Sequence, residues 1–108
     1  MTLDAYQEEA KKTALYPEAY RLLYPTLGLA GEAGELANKV KKVLRDHGGT
    51  LTPETREALL QELGDVLWYV AQVATDLGVS LEAVAQANLE KLRSRQARGK
   101  LSGSGDNR

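Results

Sequence analysis

Leu59-Leu60-Gln61-Glu62-Leu63-Gly64-Asp65-Val66-Leu67-Trp68-Tyr69-Val70 is the stretch on which the fold turns. Carried on to Leu77, its apolar positions Leu59, Leu63, Val66, Val70, Val73 and Leu77 recur at intervals of three and four. That spacing places them on one face of an α-helix and predicts a long seam suited to bundle or coiled-coil-like contact. Upstream, Thr52 is the N-cap, Pro53 fits the first helical position, and Thr55 stands where a capping box would want Glu. Gly78 ends the helix. Glu62 and Asp65, three residues apart, lie at the edge of the seam rather than on a Glu/Lys-rich face.

The same carboxylate spacing occurs earlier, in Gly31-Glu32-Ala33-Gly34-Glu35-Leu36. This segment belongs to a second predicted helix, over about 25–46, with Pro25 in its first turn and His47-Gly48-Gly49 closing it. Leu29, Leu36, Val40 and Val43 form its apolar stripe, with Ala33, Ala37 and Leu44 beside it. Gly28, Gly31 and Gly34 interrupt it at intervals of three, each at a cost of about 1 kcal/mol relative to Ala. We expect them to form a strip of small residues that lets another backbone approach closely. Packed face to face, the two helices would collect Glu32, Glu35, Glu62 and Asp65. Desolvating even one uncompensated ion costs several kcal/mol, so the arrangement calls for a cation.

The available ligands are all oxygen. The chain has no cysteine, and its one histidine, His47, sits beside the Gly-Gly turn as a loop or capping residue. A Glu-x-x-His di-iron site is therefore disfavoured, and hard oxygen ligands suit Mg²⁺, with Mn²⁺ as the alternative. Glu32, Glu35, Lys39 and Lys42 share one face of the second helix. The plain account of that face is a set of Glu–Lys pairs one turn apart; the functional one is that Lys39 or Lys42 meets phosphate oxygens. Lys91, Arg93 and Arg95 offer a second basic surface, or simply a solvated basic end. Trp68 and Tyr69 are readable as packing residues or as stacking surfaces for a nucleobase.

Around these helices the chain reads as all-α, with strand and hairpin signals nearly absent. A first helix is expected from Thr2 to about Leu15, broken by Tyr16-Pro17, with a short helical turn over 18–24. Ser80 caps a fourth helix carrying Leu81, Val84, Ala87, Leu89 and Leu92. Residues 1–98 form the expected domain and 99–108 a flexible, Gly/Ser-rich polar tail. With 108 residues, a net charge of -1 and 43% hydrophobic residues, the composition is that of a soluble globular chain. It gives no field for stable nucleic-acid binding. No apolar run approaches the ~20 residues needed to span a bilayer, and the N-terminus lacks signal-peptide character, so a cytoplasmic location is expected.

Three segments together resemble a known family. Leu27-Gly28-Leu29-Ala30-Gly31-Glu32-Ala33-Gly34-Glu35-Leu36, followed by Lys41-Lys42, is similar to the first motif of the MazG-type nucleotide pyrophosphohydrolases. Glu62-Leu63-Gly64-Asp65-Val66-Leu67-Trp68-Tyr69 resembles their second, and Asn88-Leu89-Glu90-Lys91-Leu92 with Arg95 their closing helix. Some members carry a further Glu immediately before the first motif; here that position is Gly31. The resemblance implies a four-helix bundle protomer assembling into a homodimer or tetramer. It also implies Mg²⁺-dependent hydrolysis of a nucleoside triphosphate to the monophosphate and pyrophosphate. Glu32, Glu35, Glu62 and Asp65 would hold the metal, and Lys39, Asn88 and Lys91 would be candidates for phosphate or sugar contact. Lys42, Tyr69 and Arg95 complete the candidate substrate set. Alternatives are an all-α dUTPase or phosphoribosyl-ATP pyrophosphohydrolase relative and, from another class, a helical oligomerisation module without activity.

Overall fold

The computed structural model describes residues 1–108 and contains four α-helices and no strand. They are α1 (Leu3–Lys11), α2 (Leu23–His47), α3 (Pro53–Asp76) and α4 (Leu81–Ala97), with a 3-10 turn at Glu18–Tyr20. Local chemistry sets most of the boundaries. Thr2 Oγ1 accepts from Ala5 N at 3.0 Å, and Ser80 Oγ from Ala83 N at 3.0 Å. At α3, Thr52 and Thr55 complete a reciprocal capping box, Thr55 serving where Glu is usual. Gly48 ends α2 in the left-handed region at φ 59°.

Two boundaries differ from those the sequence predicts. α1 stops at Lys11 rather than near Leu15. There the backbone tightens to bonds three residues long (Thr13 N to Ala10 O, Ala14 N to Lys11 O), and the Thr13 hydroxyl donates to Ala10 O at 2.7 Å. Trp68 Nε1 donates to the same hydroxyl at 2.8 Å, fastening the end of α1 to α3. α2 starts two residues earlier than expected, at Leu23, because the connector before it is tightly held. Leu22 has φ 65° and ψ -51°, and Leu23 N bonds Arg21 O at 2.7 Å, a strained three-residue turn. Asp76, at the end of α3, secures it by accepting Leu22 N (2.8 Å) and the Tyr16 hydroxyl (2.7 Å). The Tyr16 ring stacks on Tyr24 at 4.9 Å.

α2 and α3 form a long antiparallel hairpin, the dominant packing in the protomer; α1 lies against α3 and α4, and α4 against α3. Gln7 joins three of these pieces. Its amide nitrogen donates to Thr75 Oγ1 (3.1 Å) and Val79 O (3.0 Å), and its oxygen accepts from Leu81 N (2.7 Å). The small core of Ala71, Ala74 and Leu81, with Tyr6 and Val70 against it, sits at this junction. Only 9 of 108 residues are buried. The radius of gyration, 16.7 Å, exceeds the roughly 13 Å of a compact chain this long. Much of the α3 seam is open: Leu63 is 53% exposed and Leu77 59%. Leu60, Leu63, Val66, Leu67 and Val70 line a shallow apolar depression. No helix is long and apolar enough to cross a membrane.

The glycine strip also departs from expectation. A Cβ at Gly28 would overlap the Tyr69 ring, so this glycine makes room for an aromatic side chain rather than a backbone. Gly31 and Gly34 face open space in the protomer, and a Cβ at either would meet nothing within 4 Å.

Candidate metal centre

The two carboxylate motifs meet across the α2–α3 hairpin, where antiparallel packing brings the middle of one helix against the middle of the other. Ligand oxygens of Glu32, Glu62 and Asp65 lie within 4.8 Å of one another. Glu32 and Glu62 are half-buried and Asp65 is exposed, leaving the cluster one open side. Glu35, expected as a fourth member, lies outside the group on the exposed side of α2. Both members of the second pair reach the crossing, whereas of the first pair only Glu32 does.

Lys39 is the surprise of the site. Instead of pairing along α2 with Glu35, one turn back, it crosses to Glu62 at 2.8 Å from Oε1. Its charge draws the Glu62 carboxyl below its ordinary range, helped by a hydrogen bond shared with Glu32. Glu32 is pushed the other way, above the usual carboxylate range, first by that hydrogen bond to Glu62, then by burial and by the charges of Glu62, Asp65 and Glu35. Glu62 Oε2 is buried and has no partner. An orphaned carboxylate oxygen beside two further carboxylates, on two helices and with no soft donor nearby, fits a divalent cation with oxygen preference.

Toward the open end of the hairpin, Tyr69 packs on Gly28 and meets Trp68 edge-on, ring centroids 5.0 Å apart. Burial raises the Tyr69 phenol pKa, with Tyr24, Glu32 and Asp65 adding to the effect. Its hydroxyl therefore keeps its proton close to the carboxylates. Trp68 is committed to Thr13 and acts as a packing residue. Toward the hairpin turn, a cavity of about 240 Å³ opens next to Lys39, with Lys42 and His47 in its wall. His47, expected as a capping residue, is the last residue of α2 and also lines this space.

The α4 candidates lie elsewhere in the protomer. Asn88 is exposed. Lys91 pairs with Asp106 at 3.2 Å, and the buried Arg95 donates to Asp106 O at 2.7 Å, because the chain after Gly99 folds back over α4. The sequence alone does not single out Gln7 or Asp76. A polar residue on the apolar side of α1 is the one available sign for Gln7.

An all-α hairpin holding an oxygen-only carboxylate cluster defines a class of helical proteins suited to a divalent cation between paired acidic motifs. Comparison with known proteins narrows that class to a family. A model of the MazG nucleotide pyrophosphohydrolase domain matches residues 23–99, and the chain belongs to that family. It is 56% identical, over the full length of both chains, to the Gene 37 protein of Mycobacterium phage L5. It is 40% identical over 72 residues to the uncharacterized protein YvdC of Bacillus subtilis (strain 168), covering 62% of this chain and 68% of that one. No solved structure matches.

Proposed function

We propose that the protein hydrolyses a nucleoside triphosphate between its α- and β-phosphates, giving the monophosphate and pyrophosphate, with Mg²⁺ or Mn²⁺ at Glu32, Glu62 and Asp65. The observation that carries the reading is the meeting of these three carboxylates across the hairpin of a MazG-family chain. A divalent cation held there would neutralise phosphate oxygens and stabilise charge developing at phosphorus. The chain's own groups supply the rest. Lys39 and Lys42 stand on one side of the cluster for phosphate oxygens, and Tyr69 on the other offers a ring face and a phenol hydroxyl. Asp65, the exposed member, gives the substrate its approach. Glu35, free of the cluster but on the same helix, is available to orient the attacking water.

Assembly belongs to the same proposal. A protomer with nine buried residues and a half-open α3 seam has little core of its own, and burial against a second copy is the economical remedy. We therefore infer a homodimer or a larger homo-oligomer in which the Leu60–Val70 depression is covered. Asn88 of α4, exposed and outside the cluster within one chain, is then available to a site completed between copies, whereas Lys91 and Arg95 are engaged with Asp106.

The test is a panel of nucleoside triphosphates, dUTP and phosphoribosyl-ATP, with pyrophosphate detection in the presence and absence of Mg²⁺. Metal-dependent pyrophosphate release supports the reading, and the preferred substrate separates it from its all-α relatives. No release from any substrate, together with no effect of Mg²⁺ on Tm, would return the chain to the class of helical oligomerisation modules.

A further inference from the structure

Lys39 faces two ways. Its ammonium rests 2.8 Å from Glu62 Oε1, so it already serves as the cation of the carboxylate cluster. The same residue lines the 240 Å³ cavity between the last turns of α2 and the first turns of α3. Lys42 and His47 share that wall, above an apolar floor of Val43, Ala58 and Leu59. The other polar groups there are engaged. Asp46 is clasped by the Arg45 guanidinium at 2.7 and 2.9 Å. The Thr55 hydroxyl is committed to the capping box, accepting from Thr52 N at 2.8 Å and donating to Thr52 O at 3.1 Å. What the cavity has to offer a ligand is donors: a lysine ammonium, an imidazole, and a second ammonium one rotamer away. That set suits the oxygens of a phosphate.

We propose that Lys39 is an exchangeable counter-ion: a divalent cation arriving at Glu32, Glu62 and Asp65 displaces its ammonium, which turns into the adjoining cavity and completes, with Lys42 and His47, a subsite for the terminal phosphates of the substrate. The inference rests on the carboxylate site proposed above. Two like charges, one of them double, cannot share Glu62 at about 4 Å without strong repulsion. The Lys39 side chain is 38% exposed and carries a flexible four-carbon stem, so it can leave. The cavity borders the residue on that side. The exchange costs the metal part of its affinity in the empty protein and returns it as a phosphate contact once substrate is present. Metal and substrate are thereby coupled through one side chain. Without metal, the ammonium fills the cluster and the phosphate subsite lacks one of its donors.

Calorimetric titration of Mn²⁺ into the full chain, with no phosphate present, tests the exchange directly. Lys39→Met should bind Mn²⁺ about five- to tenfold more tightly than wild type, because no ammonium has to be displaced. Unchanged or weaker binding by the variant overturns the exchange and leaves the carboxylate site standing. Absence of Mn²⁺ binding to wild type overturns the site and the exchange together. Amine acetylation read by mass spectrometry gives an independent measure. Labelling of Lys39 relative to the exposed Lys12 should rise when Mg²⁺ is added, and a constant ratio overturns the displacement. For the phosphate half, inorganic phosphate titrated into Mn²⁺-loaded protein should bind about tenfold more weakly to Lys39→Met and to Lys42→Met. Full affinity in both variants overturns the subsite.

Discussion

Glu32 and Glu62 stand together in the cluster but are shifted in opposite directions, and the difference has a sign that can be measured. Glu32 is raised in the folded protein, so the stability it contributes is complete below the ordinary carboxylate range and is lost as pH rises through its raised value. Glu62 is lowered, so its contribution fades only as pH falls below that range. As pH rises out of the ordinary carboxylate range and through the raised Glu32 value, metal-free protein should therefore show a falling Tm. Adding Mg²⁺ should reverse the slope, since the ion needs the proton gone. Glu32→Gln should flatten the metal-free slope; a slope that persists in that variant would locate the proton elsewhere. Thermal melts in EDTA and in Mg²⁺ across a pH series suffice. Asp65→Ala should abolish the Mg²⁺-induced rise in Tm and the turnover while leaving helicity intact by circular dichroism. Glu35→Ala should keep the Tm rise, because its carboxylate lies outside the cluster. At Gly28 the Tyr69 ring leaves no room for a methyl group. Gly28→Ala should therefore destabilise by about 1–3 kcal/mol despite its better helix propensity, whereas Gly31→Ala, in open space, should gain up to about 1 kcal/mol. Chemical denaturation reads both.

Among the elements, the connector into α2 concentrates the strain. Leu22 sits at φ 65°, a backbone region that costs an L-residue of order 1–2 kcal/mol, and Asp76 holds it there. The Asp76 side chain is 9% exposed and accepts from Tyr16 as well as Leu22. Asp76→Ala should cost about 2–4 kcal/mol in urea denaturation and loosen the Tyr16–Tyr24 stack. Leu22→Gly should stabilise by roughly 1 kcal/mol, because glycine adopts this turn without the Cβ clash. Loss of stability in that variant would mean that the leucine side chain matters more than its backbone. The helices themselves are legible in the sequence because caps are local: Thr52, Ser80 and Gly48 act within a few residues of where they stand. The connector is not, because nothing near Leu22 in the chain announces a partner at residue 76. The same distinction divides the site. The i, i+3 carboxylate pairs are a property of one helix and can be read from spacing. Which member reaches the crossing, and that Lys39 prefers Glu62 to Glu35, depends on the rotation of α2 against α3, which spacing does not contain.

At the scale of the whole molecule, the α3 periodicity marks an apolar face correctly but not what lies against it. In the protomer that face is only partly covered, with Leu63 and Leu77 more than half exposed and Leu59, Val66, Val70 and Val73 half-buried, so a single-chain bundle does not fully account for it. Leu63→Lys should shift a homo-oligomer toward monomer in size-exclusion chromatography with light scattering. An unchanged mass would place the contact on another face. The N-terminal helix has a further bearing. The family match begins at residue 23, yet Gln7 supplies the hydrogen bond that caps Leu81 across 74 residues of chain. Closing so long a loop is entropically slow and comes late, after the local α2–α3 hairpin has formed. On a ribosome, α1 emerges first and must wait, unpaired, until residues 75–81 are out before its glutamine finds its three partners. The first helix made is thus the last to be seated, and an N-terminal truncation or a bulky tag at Met1 should slow the final step of folding before it disturbs the carboxylate centre.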